Sequence, residues 1–188
     1  MTRSAMLGVD LKAGVDNGRV MIKQIDPAEL SPGEFVANVR SAVDDDQARV
    51  VVIDSLNGYL NAMPEERFLI IQLRELLSFL GQKGIITILI VAQHGILGSQ
   101  IQTPVDASYS ADSVILLRFF EAAGEMRQAI SVVKKRSGKH QRSLRELRMA
   151  NGCMSVGEPL RQFDGILSGL PVASQVPLPP SQAPEEIE

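Results

Sequence analysis

The sequence predicts an α/β fold built around a parallel β-sheet. Two runs, Val50–Ile53 ("VVVI") and Ile85–Gln93 ("IITILIVAQ"), are rich in apolar β-branched residues, which is typical of strands buried on both faces of a parallel sheet. Segments with apolar residues at helical spacing precede and separate these runs. The resulting alternation of strands and helices predicts a sheet with helices packed against it.

The first part of the chain carries a strong helix-start signal. Residues Thr2–Gly8 are predicted to end a helix, and Arg19–Ile25 ("RVMIKQI") to form a short strand. "SPGE" from Ser31 then forms a capping box, with Ser at the N-cap, Pro at the first helical position and Glu three residues after the Ser. The helix that follows presents one apolar stripe, formed by Phe35, Val36, Val39 and Val43.

A second helix is predicted between the two apolar strands. It begins at Pro64, Glu65 and Glu66 and ends near Gly81 or Gly84. The two glutamates look like a catalytic pair, but acidic side chains are favoured in the first turn of a helix, so we interpret them as structural. The apolar face of this helix consists of Leu69, Leu73, Leu76, Leu77 and Leu80.

The remaining third of the chain predicts a buried strand and an antiparallel hairpin. "SVILLRFF" (Ser113–Phe120) is a third apolar run, expected in the parallel sheet. "QAISVVKKR" and "RSLRELRM" alternate polar and apolar residues on either side of a basic turn, as hairpin strands do. We expect one domain over residues 1–170, and a disordered tail over 171–188 because that segment is rich in Pro, Ser and acidic residues.

Composition narrows the classes of function. The chain has 188 residues, enough for one domain with a sizeable core. Its net charge of -3 gives no global reason to expect nucleic acid or a membrane surface as a partner. The single cysteine, Cys153, cannot form an internal disulfide, and no segment has the length of a membrane span. We therefore expect a soluble cytoplasmic protein.

Two polar residues lie at the carboxyl ends of the predicted parallel strands. Right-handed crossovers place Asp54 and Gln93 at the same edge of the sheet, where α/β proteins bind ligands. Asp54 can bind Mg²⁺, directly or through water, or it can accept backbone hydrogen bonds in the turn that follows. Gln93, in "IVAQHG", can sense a γ-phosphate or position an attacking water, or it is simply polar where a strand leaves the core. The strands alone leave these alternatives open.

Basic residues concentrate in "VVKKRSGKHQRSLRELR", which holds seven Lys and Arg against one Glu. Side chains alternate along a strand, so Lys134 and Arg136 project from the same face, with His140 across the turn. Such a group can clamp a triphosphate. It can also be a solvated hairpin whose charges protect a sheet edge, or a contact to nucleic-acid phosphates.

Taken together, these residues resemble the KaiC family of RecA-like ATPases. The matching stretches are "IDPAELSPGEF", "RVVVIDSLNGYL", "ILIVAQHG", "SYSADSVILLRFFEAAGEMRQAISVVKKRSGKH" and "EPLRQFDGILSGLP". The resemblance implies a RecA-like three-layer α/β fold with a mainly parallel central sheet and a C-terminal antiparallel hairpin. It also implies a ring, usually a hexamer, of identical or related subunits with ATP and Mg²⁺ between neighbours.

The resemblance implies roles for particular residues. Asp54 falls on the family's Walker B aspartate, which helps hold Mg²⁺. Lys134, Arg136 and His140 fall on the K-x-R-x-x-x-H pattern, which reaches across the subunit interface to the neighbour's nucleotide. In the family a Walker A loop and paired catalytic glutamates precede the stretch that matches Arg19–Ile25. The residues before that stretch contain no Gly-Lys-Ser/Thr, so we expect the C-terminal two-thirds of a domain truncated at its N-terminus.

Three functions follow as hypotheses. The first is a KaiC-like ATPase domain, or the remainder of one, in which binding of Mg²⁺ and ATP by this chain alone is weak or absent. The second is a non-catalytic interaction module that docks on intact KaiC-like subunits through the same interface. The third is a RecA-like DNA-binding protein, against which the net negative charge and the scarcity of aromatic residues weigh.

Overall fold

The structure is a computed structural model that describes residues 2–26, 30–61, 66–92, 110–150, 152–168 and 172–173. It divides into two compact units, one drawn mainly from Met1–Val20 and Ala111–Glu188 and the other mainly from Met21–His94. The described helices are α1 (Thr2–Met6), α2 (Leu11–Asp16), α3 (Pro32–Asp44), α4 (Leu56–Asn61) and α5 (Glu66–Gln82). The described strands are β1 (Val50–Asp54), β2 (Ile86–Ile90), β3 (Ser113–Ala122), β4 (Glu125–Lys135), β5 (Arg145–Ala150), β6 (Cys153–Pro159), β7 (Phe163–Asp164) and β8 (Val172–Ala173). None of these helices has the length and apolar character needed to cross a membrane.

The unit drawn from Met21–His94 contains the predicted parallel strands. β1 and β2 pair in parallel, in register from Val50 opposite Ile86 to Asp54 opposite Ile90. Helices α3 and α5 pack on this pair through a core that contains Val43, Leu76, Leu80 and Ile85. The α/β class and the order of these elements are thus confirmed.

The two predicted helix boundaries that lie among the described residues are also confirmed. The Ser31 hydroxyl accepts a hydrogen bond from the backbone N–H of Glu34, and the Glu34 carboxylate accepts one from the backbone N–H of Ser31. The Ser31 hydroxyl also donates to the Glu34 carboxylate at 2.6 Å, and this bond, followed by the one from the Ser31 N–H, lowers the pKa of Glu34 below its ordinary value. Helix α5 ends just before Gly84, whose φ of 69° belongs to the left-handed region that glycine adopts without strain. Pro64 and Glu65, predicted to open α5, lie outside the described residues.

The parallel strands are buried on one face only, so the prediction of burial on both faces is wrong. Val50 and Val52 are 52% and 54% exposed, whereas Val51 packs against the core and Ile53 is buried. Every second residue of β2 is likewise exposed, namely Ile86, Ile88 and Ile90. The described helices contact the strands through one set of alternating side chains, because both α3 and α5 converge on the same core. An unbroken apolar run therefore predicted the strand correctly, but it did not predict that one face of the strand is exposed.

The other unit is built on a four-stranded antiparallel sheet in the order β3-β4-β5-β6. The third apolar run was expected in the parallel sheet, but it forms β3 and pairs antiparallel with β4. Ala123 and Gly124, with φ of 55° and 77°, make the two-residue turn that joins the strands. This tight turn brings β4 back alongside β3, which explains why the pairing is antiparallel.

The predicted basic hairpin is present as β4 and β5. These strands pair antiparallel at Ala129 opposite Glu146 and at Ile130 opposite Arg145. One face of the sheet covers a core of Phe120, Ala122, Ala129, Leu160 and Ile166. The opposite face exposes Ile115 and Leu117, so this apolar run too is covered on one side only.

Several local predictions differ from the structure. The predicted strand Arg19–Ile25 is wrong, because residues 20–26 adopt neither helix nor strand. Helices α2 and α4 were not predicted. Within the predicted tail, Val172–Ala173 form a short strand that pairs with Phe163–Asp164. The rest of 171–188 lies outside the described residues.

Candidate functional site

Asp54 is the last residue of β1, at the carboxyl end of the parallel pair. Its side chain is exposed, and within the described ranges no hydrogen bond or ion pair holds its carboxylate. The turn that follows is closed by backbone bonds instead, with the N–H of Gly58 donating to the carbonyl of Ser55 at 3.1 Å. Among the described residues Asp54 is therefore not used as a turn-capping group, and its carboxylate is open to a ligand.

Asn57 fixes the edge of the sheet on which Asp54 lies. Its buried side-chain amide donates to the carbonyl of Ala92 at 2.9 Å and accepts from the N–H of Ala92 at 2.8 Å. The amide thus links the segment after β1 to the segment after β2 by two hydrogen bonds. Gln93, the second residue predicted at this edge, directly follows Ala92 and lies outside the described residues, as does His94.

Asp54 and its neighbours do not form a complete metal site. They suit an Mg²⁺ ion that is also bound by a phosphate ligand. No group of three or more His, Cys, Asp or Glu suited to a metal occurs in the described part of the chain. Mg²⁺ is commonly held by one or two carboxylates together with water and substrate phosphates. One exposed carboxylate at a strand end meets that requirement only when a nucleotide supplies further oxygens.

The second candidate site lies at the end of β4 and in the segment that follows it. Lys134 belongs to β4, Arg136 follows the strand directly, and His140 lies within the connection to β5. Lys134 and His140 are half-buried, whereas Arg136 is exposed. The connection turns at Gly138, whose φ of 77° is left-handed. The structure places Lys134 at the end of β4, and Arg136 and His140 in the connection that follows it.

Arg136 makes two contacts with Asp112, the residue that precedes β3. The N–H of Arg136 donates to the carbonyl of Asp112 at 2.7 Å. The Arg136 guanidinium also forms an ion pair with the Asp112 carboxylate, with Nη1 and Oδ1 3.0 Å apart. No sequence pattern indicated Asp112 as a site residue, because the contact depends on the antiparallel pairing of β3 with β4.

His140 carries an unsatisfied polar atom. Its Nε2 is buried, and within the described residues it has no hydrogen-bond partner. A buried polar atom of this kind costs free energy unless a ligand or water completes its hydrogen bond. Two contacts hold the residues between His140 and β5. The hydroxyl of buried Ser131 donates to the carbonyl of Arg142 at 3.4 Å, and the Arg145 guanidinium donates to the Gln141 amide oxygen at 2.9 Å. These contacts fix the connection that carries His140.

Arg145 and Arg148 of this basic segment have structural partners on the sheet. Glu146 of β5 is buried, and its carboxylate accepts from Arg127 at 2.7 Å and from Arg148 at 2.8 Å. The bond from Arg127, followed by the bond from Arg148, lowers the pKa of Glu146 against the raising effect of burial. The guanidinium of Arg145 also donates to the carbonyl of Gly157 at 3.1 Å. The basic run therefore separates into a structural part on β5 and a part at the end of β4.

The two candidate sites belong to different units. Asp54 lies in the unit drawn from Met21–His94, and the cationic segment lies in the unit that contains the antiparallel sheet. Chemically, the first offers an oxygen ligand for a divalent cation, and the second offers guanidinium, ammonium and imidazole nitrogens for an anion. The donors of the second site suit phosphate oxygens.

Comparison with known proteins gives consistent results. The family model described as "ATPase: KaiC" matches residues 1–161. The chain is 29% identical over 167 residues to the circadian clock protein KaiC3 of Synechocystis sp., covering 88% of this chain and 32% of the relative. It is 25% identical over 173 residues to the circadian clock oscillator protein KaiC of Thermostichus vulcanus, covering 90% of this chain and 32% of the relative. The chain thus spans about a third of the length of these curated relatives.

A solved structure shares the fold. The KaiC-like protein of the hyperthermophilic archaeon Pyrococcus horikoshii superposes with a TM-score of 0.70 at 21% sequence identity. The match covers 84% of this chain and 68% of the archaeal chain. At this identity the likeness shows a common RecA-like fold, which agrees with the fold class predicted from the sequence.

Proposed function

Because this chain belongs to the KaiC family of ATPases, we propose that it is part of an ATPase domain whose cationic segment contacts ATP bound to a neighbouring subunit. The observation that carries the proposal is the placement of Arg136 immediately after β4, two residues beyond Lys134 and four before His140. The partner is a second copy of this chain or an intact KaiC-like subunit, arranged in a ring. Nucleic acid is not part of this proposal.

The cationic segment supplies what phosphoryl transfer needs from a neighbouring subunit. In the transition state, negative charge spreads over the oxygens of the transferring phosphoryl group. A guanidinium placed across the interface stabilises that charge through a planar fork of N–H donors, and we assign this role to Arg136. Half-buried Lys134, two residues before Arg136, adds a compact positive charge. Nε2 of His140, which has no hydrogen-bond partner among the described residues, can complete its hydrogen bond with a phosphate group or a bridging water.

Asp54 is proposed as the carboxylate on the metal side of the domain's own nucleotide site. Its exposed carboxylate at the end of β1 suits a ligand or a water-mediated partner of Mg²⁺. Bound Mg²⁺ would neutralise charge on the phosphates. Gln93, the next residue in the sequence after Ala92, is proposed to sense the γ-phosphate or position the attacking water. The bonds between Asn57 and Ala92 hold the backbone just before Gln93.

The test is complementation of an intact family member whose arginine matching Arg136 is replaced by alanine. That subunit keeps its own nucleotide loop but cannot donate the guanidinium to its neighbour. Adding the unsubstituted chain should raise ATP hydrolysis, by up to about 10³-fold at a fully formed composite site. Arg136→Ala should remove this stimulation. Lys135→Ala should keep most of it, because Lys135 projects from the opposite face of the strand.

The outcomes separate the competing functions. Equal loss from Arg136→Ala and Lys135→Ala would reduce the effect to general positive charge. Binding of the chain to the intact subunit without any stimulation would favour the non-catalytic interaction module. Salt-dependent DNA binding that Arg136→Ala abolishes would favour the nucleic-acid function.

A further inference from the structure

Arg136 is held at two points to the residue before β3. In the β3–β4 ladder, Ser113 is opposite Lys135, so Asp112 and Arg136 form the next pair beyond the last one in the sheet. The backbone bond of 2.7 Å from the N–H of Arg136 to the carbonyl of Asp112 extends the ladder by this pair. The ion pair of 3.0 Å between Nη1 and Oδ1 adds a side-chain contact at the same place.

The ion pair is poorly suited to stabilising the fold. The side chains of Arg136 and Asp112 are 59% and 80% exposed, and exposed ion pairs of this kind add little to the free energy of unfolding. Its main physical effect is on orientation. An arginine side chain without such a contact samples many rotamers, and a carboxylate directly before the neighbouring strand restricts that sampling.

We infer that Asp112 is a positioning residue for Arg136 at the composite nucleotide site, an inference that rests on the proposed function. The carboxylate fixes the direction of the guanidinium as it leaves β4. A guanidinium carries its five N–H donors in a planar fork, and in Arg136 Nη1 lies 3.0 Å from Oδ1 of Asp112. A pre-oriented guanidinium meets the developing charge without first losing rotational freedom.

The opposite role makes a different prediction. An exposed carboxylate beside the guanidinium also competes with phosphate for the same positive charge. If competition dominated, removing the carboxylate would increase stimulation of the partner subunit. If positioning dominates, as we infer, removing it decreases the turnover of the composite site.

The experiment uses the full chain in the complementation assay, with Asp112→Ala, Asp112→Glu and Asp44→Ala variants. Asp112→Ala keeps the backbone bond, because that bond comes from the carbonyl, and removes only the carboxylate. We expect kcat of the composite site to fall by about tenfold, while the chain concentration for half-maximal stimulation stays unchanged. Asp112→Glu should restore part of kcat, because it returns a carboxylate to the position directly before β3.

Two controls separate positioning from a general effect on the fold. Asp44 forms an exposed ion pair with Lys83 at 2.8 Å in the other unit, so Asp44→Ala should leave stimulation unchanged. In an Arg136→Ala background, Asp112→Ala should cause no further loss, as a double-mutant cycle requires of a residue that acts through Arg136. The unfolding midpoint of each variant shows whether the chain is folded.

The outcomes distinguish this inference from the proposed function. If the unsubstituted chain stimulates the partner and Arg136→Ala does not, stimulation by Asp112→Ala at or above the unsubstituted level overturns the inference alone. If the unsubstituted chain gives no stimulation, the proposed function fails and the inference fails with it. A fall in kcat that Asp112→Glu partly restores supports the positioning role.

Discussion

The side chain of Asn57 and the backbone of Ala92 exchange two hydrogen bonds, with lengths of 2.9 and 2.8 Å. Asn57 is buried in α4, directly after β1, and Ala92 follows β2. One amide thus joins the carboxyl ends of the two parallel strands. The edge that carries Asp54 is fixed by this contact as well as by the β1–β2 ladder.

Asn57→Ala should therefore destabilise the fold. The substitution leaves the N–H and the carbonyl of Ala92 without these partners, and we expect a loss of about 2 to 3 kcal/mol in the free energy of unfolding. Urea unfolding curves measure the change. Gln82→Ala is a matched control, because Gln82 also bonds through its amide but to exposed Ser78 at 3.4 Å. Similar losses for the two variants would contradict a special role for Asn57.

Glu146→Gln should lower the free energy of unfolding at neutral pH, and this difference from the unsubstituted chain should disappear as the pH falls. The pKa of Glu146 is below its ordinary value of 4.5, chiefly because of the bond from Arg127, so the ionised form stabilises the fold above that ordinary value. This stability disappears as the pH falls through the lower pKa of the folded state. At pH 7 we expect Glu146→Gln to cost about 1 to 3 kcal/mol.

Unfolding of both proteins over a pH series provides the measurement. The unsubstituted chain should lose its advantage over Glu146→Gln only below the ordinary glutamate range. An advantage that stayed constant down to pH 2 would show that the Arg127–Glu146–Arg148 contacts are not the cause.

The β3–β4 turn predicts two opposite changes in stability. Ala123 has φ of 55°, a left-handed conformation in which alanine is strained and glycine is not, so Ala123→Gly should stabilise the chain by up to about 1 kcal/mol. Gly124 has φ of 77°, and Gly124→Ala should destabilise by about 1 to 2 kcal/mol, although no described residue other than its chain neighbours comes within 4 Å of the added methyl group. Thermal unfolding of both variants tests the signs. Destabilisation by Ala123→Gly would contradict the turn geometry.

The 188-residue chain alone should bind Mg-ATP only weakly. Its sequence contains no Gly-Lys-Ser/Thr loop, whose backbone N–H groups and lysine normally provide most contacts to the β- and γ-phosphates. Asp54 would bring a negative charge to a negative ligand. Isothermal titration calorimetry on the purified chain measures this directly, and a micromolar Kd would contradict the prediction. The Asp54→Asn variant shows whether any weak binding depends on the carboxylate.

The sequence correctly predicted those elements that are determined by interactions between residues close together in the chain. The capping box from Ser31 fixed the start of α3 because both of its hydrogen bonds join residues three apart. The parallel pairing of β1 with β2 followed from the helix between them. The strand at Arg19–Ile25 failed because an apolar run of that length needs a neighbouring strand to become one, and its pattern cannot report whether a neighbour exists.

The candidate site was predictable only in part, for a similar reason. Lys134, Arg136 and His140 are close in sequence, so a pattern predicts their common segment. Asp112 lies 24 positions before Arg136 and comes beside it only because β3 and β4 pair antiparallel. Arg127 reaches Glu146 through the pairing of β4 with β5. Contacts that depend on strand pairing carry no signature in a single sequence.

The central claim is that the segment from Lys134 to His140 reaches a nucleotide held by a neighbouring subunit. The most direct measurement is photo-crosslinking with an ATP analogue that carries a photoreactive group on its γ-phosphate, bound to an intact family member and mixed with this chain. We expect label on the peptide that contains residues 134–140 of this chain, and only when the intact subunit is present. Label on this chain at equal yield without that subunit, or label confined to other peptides, would contradict it.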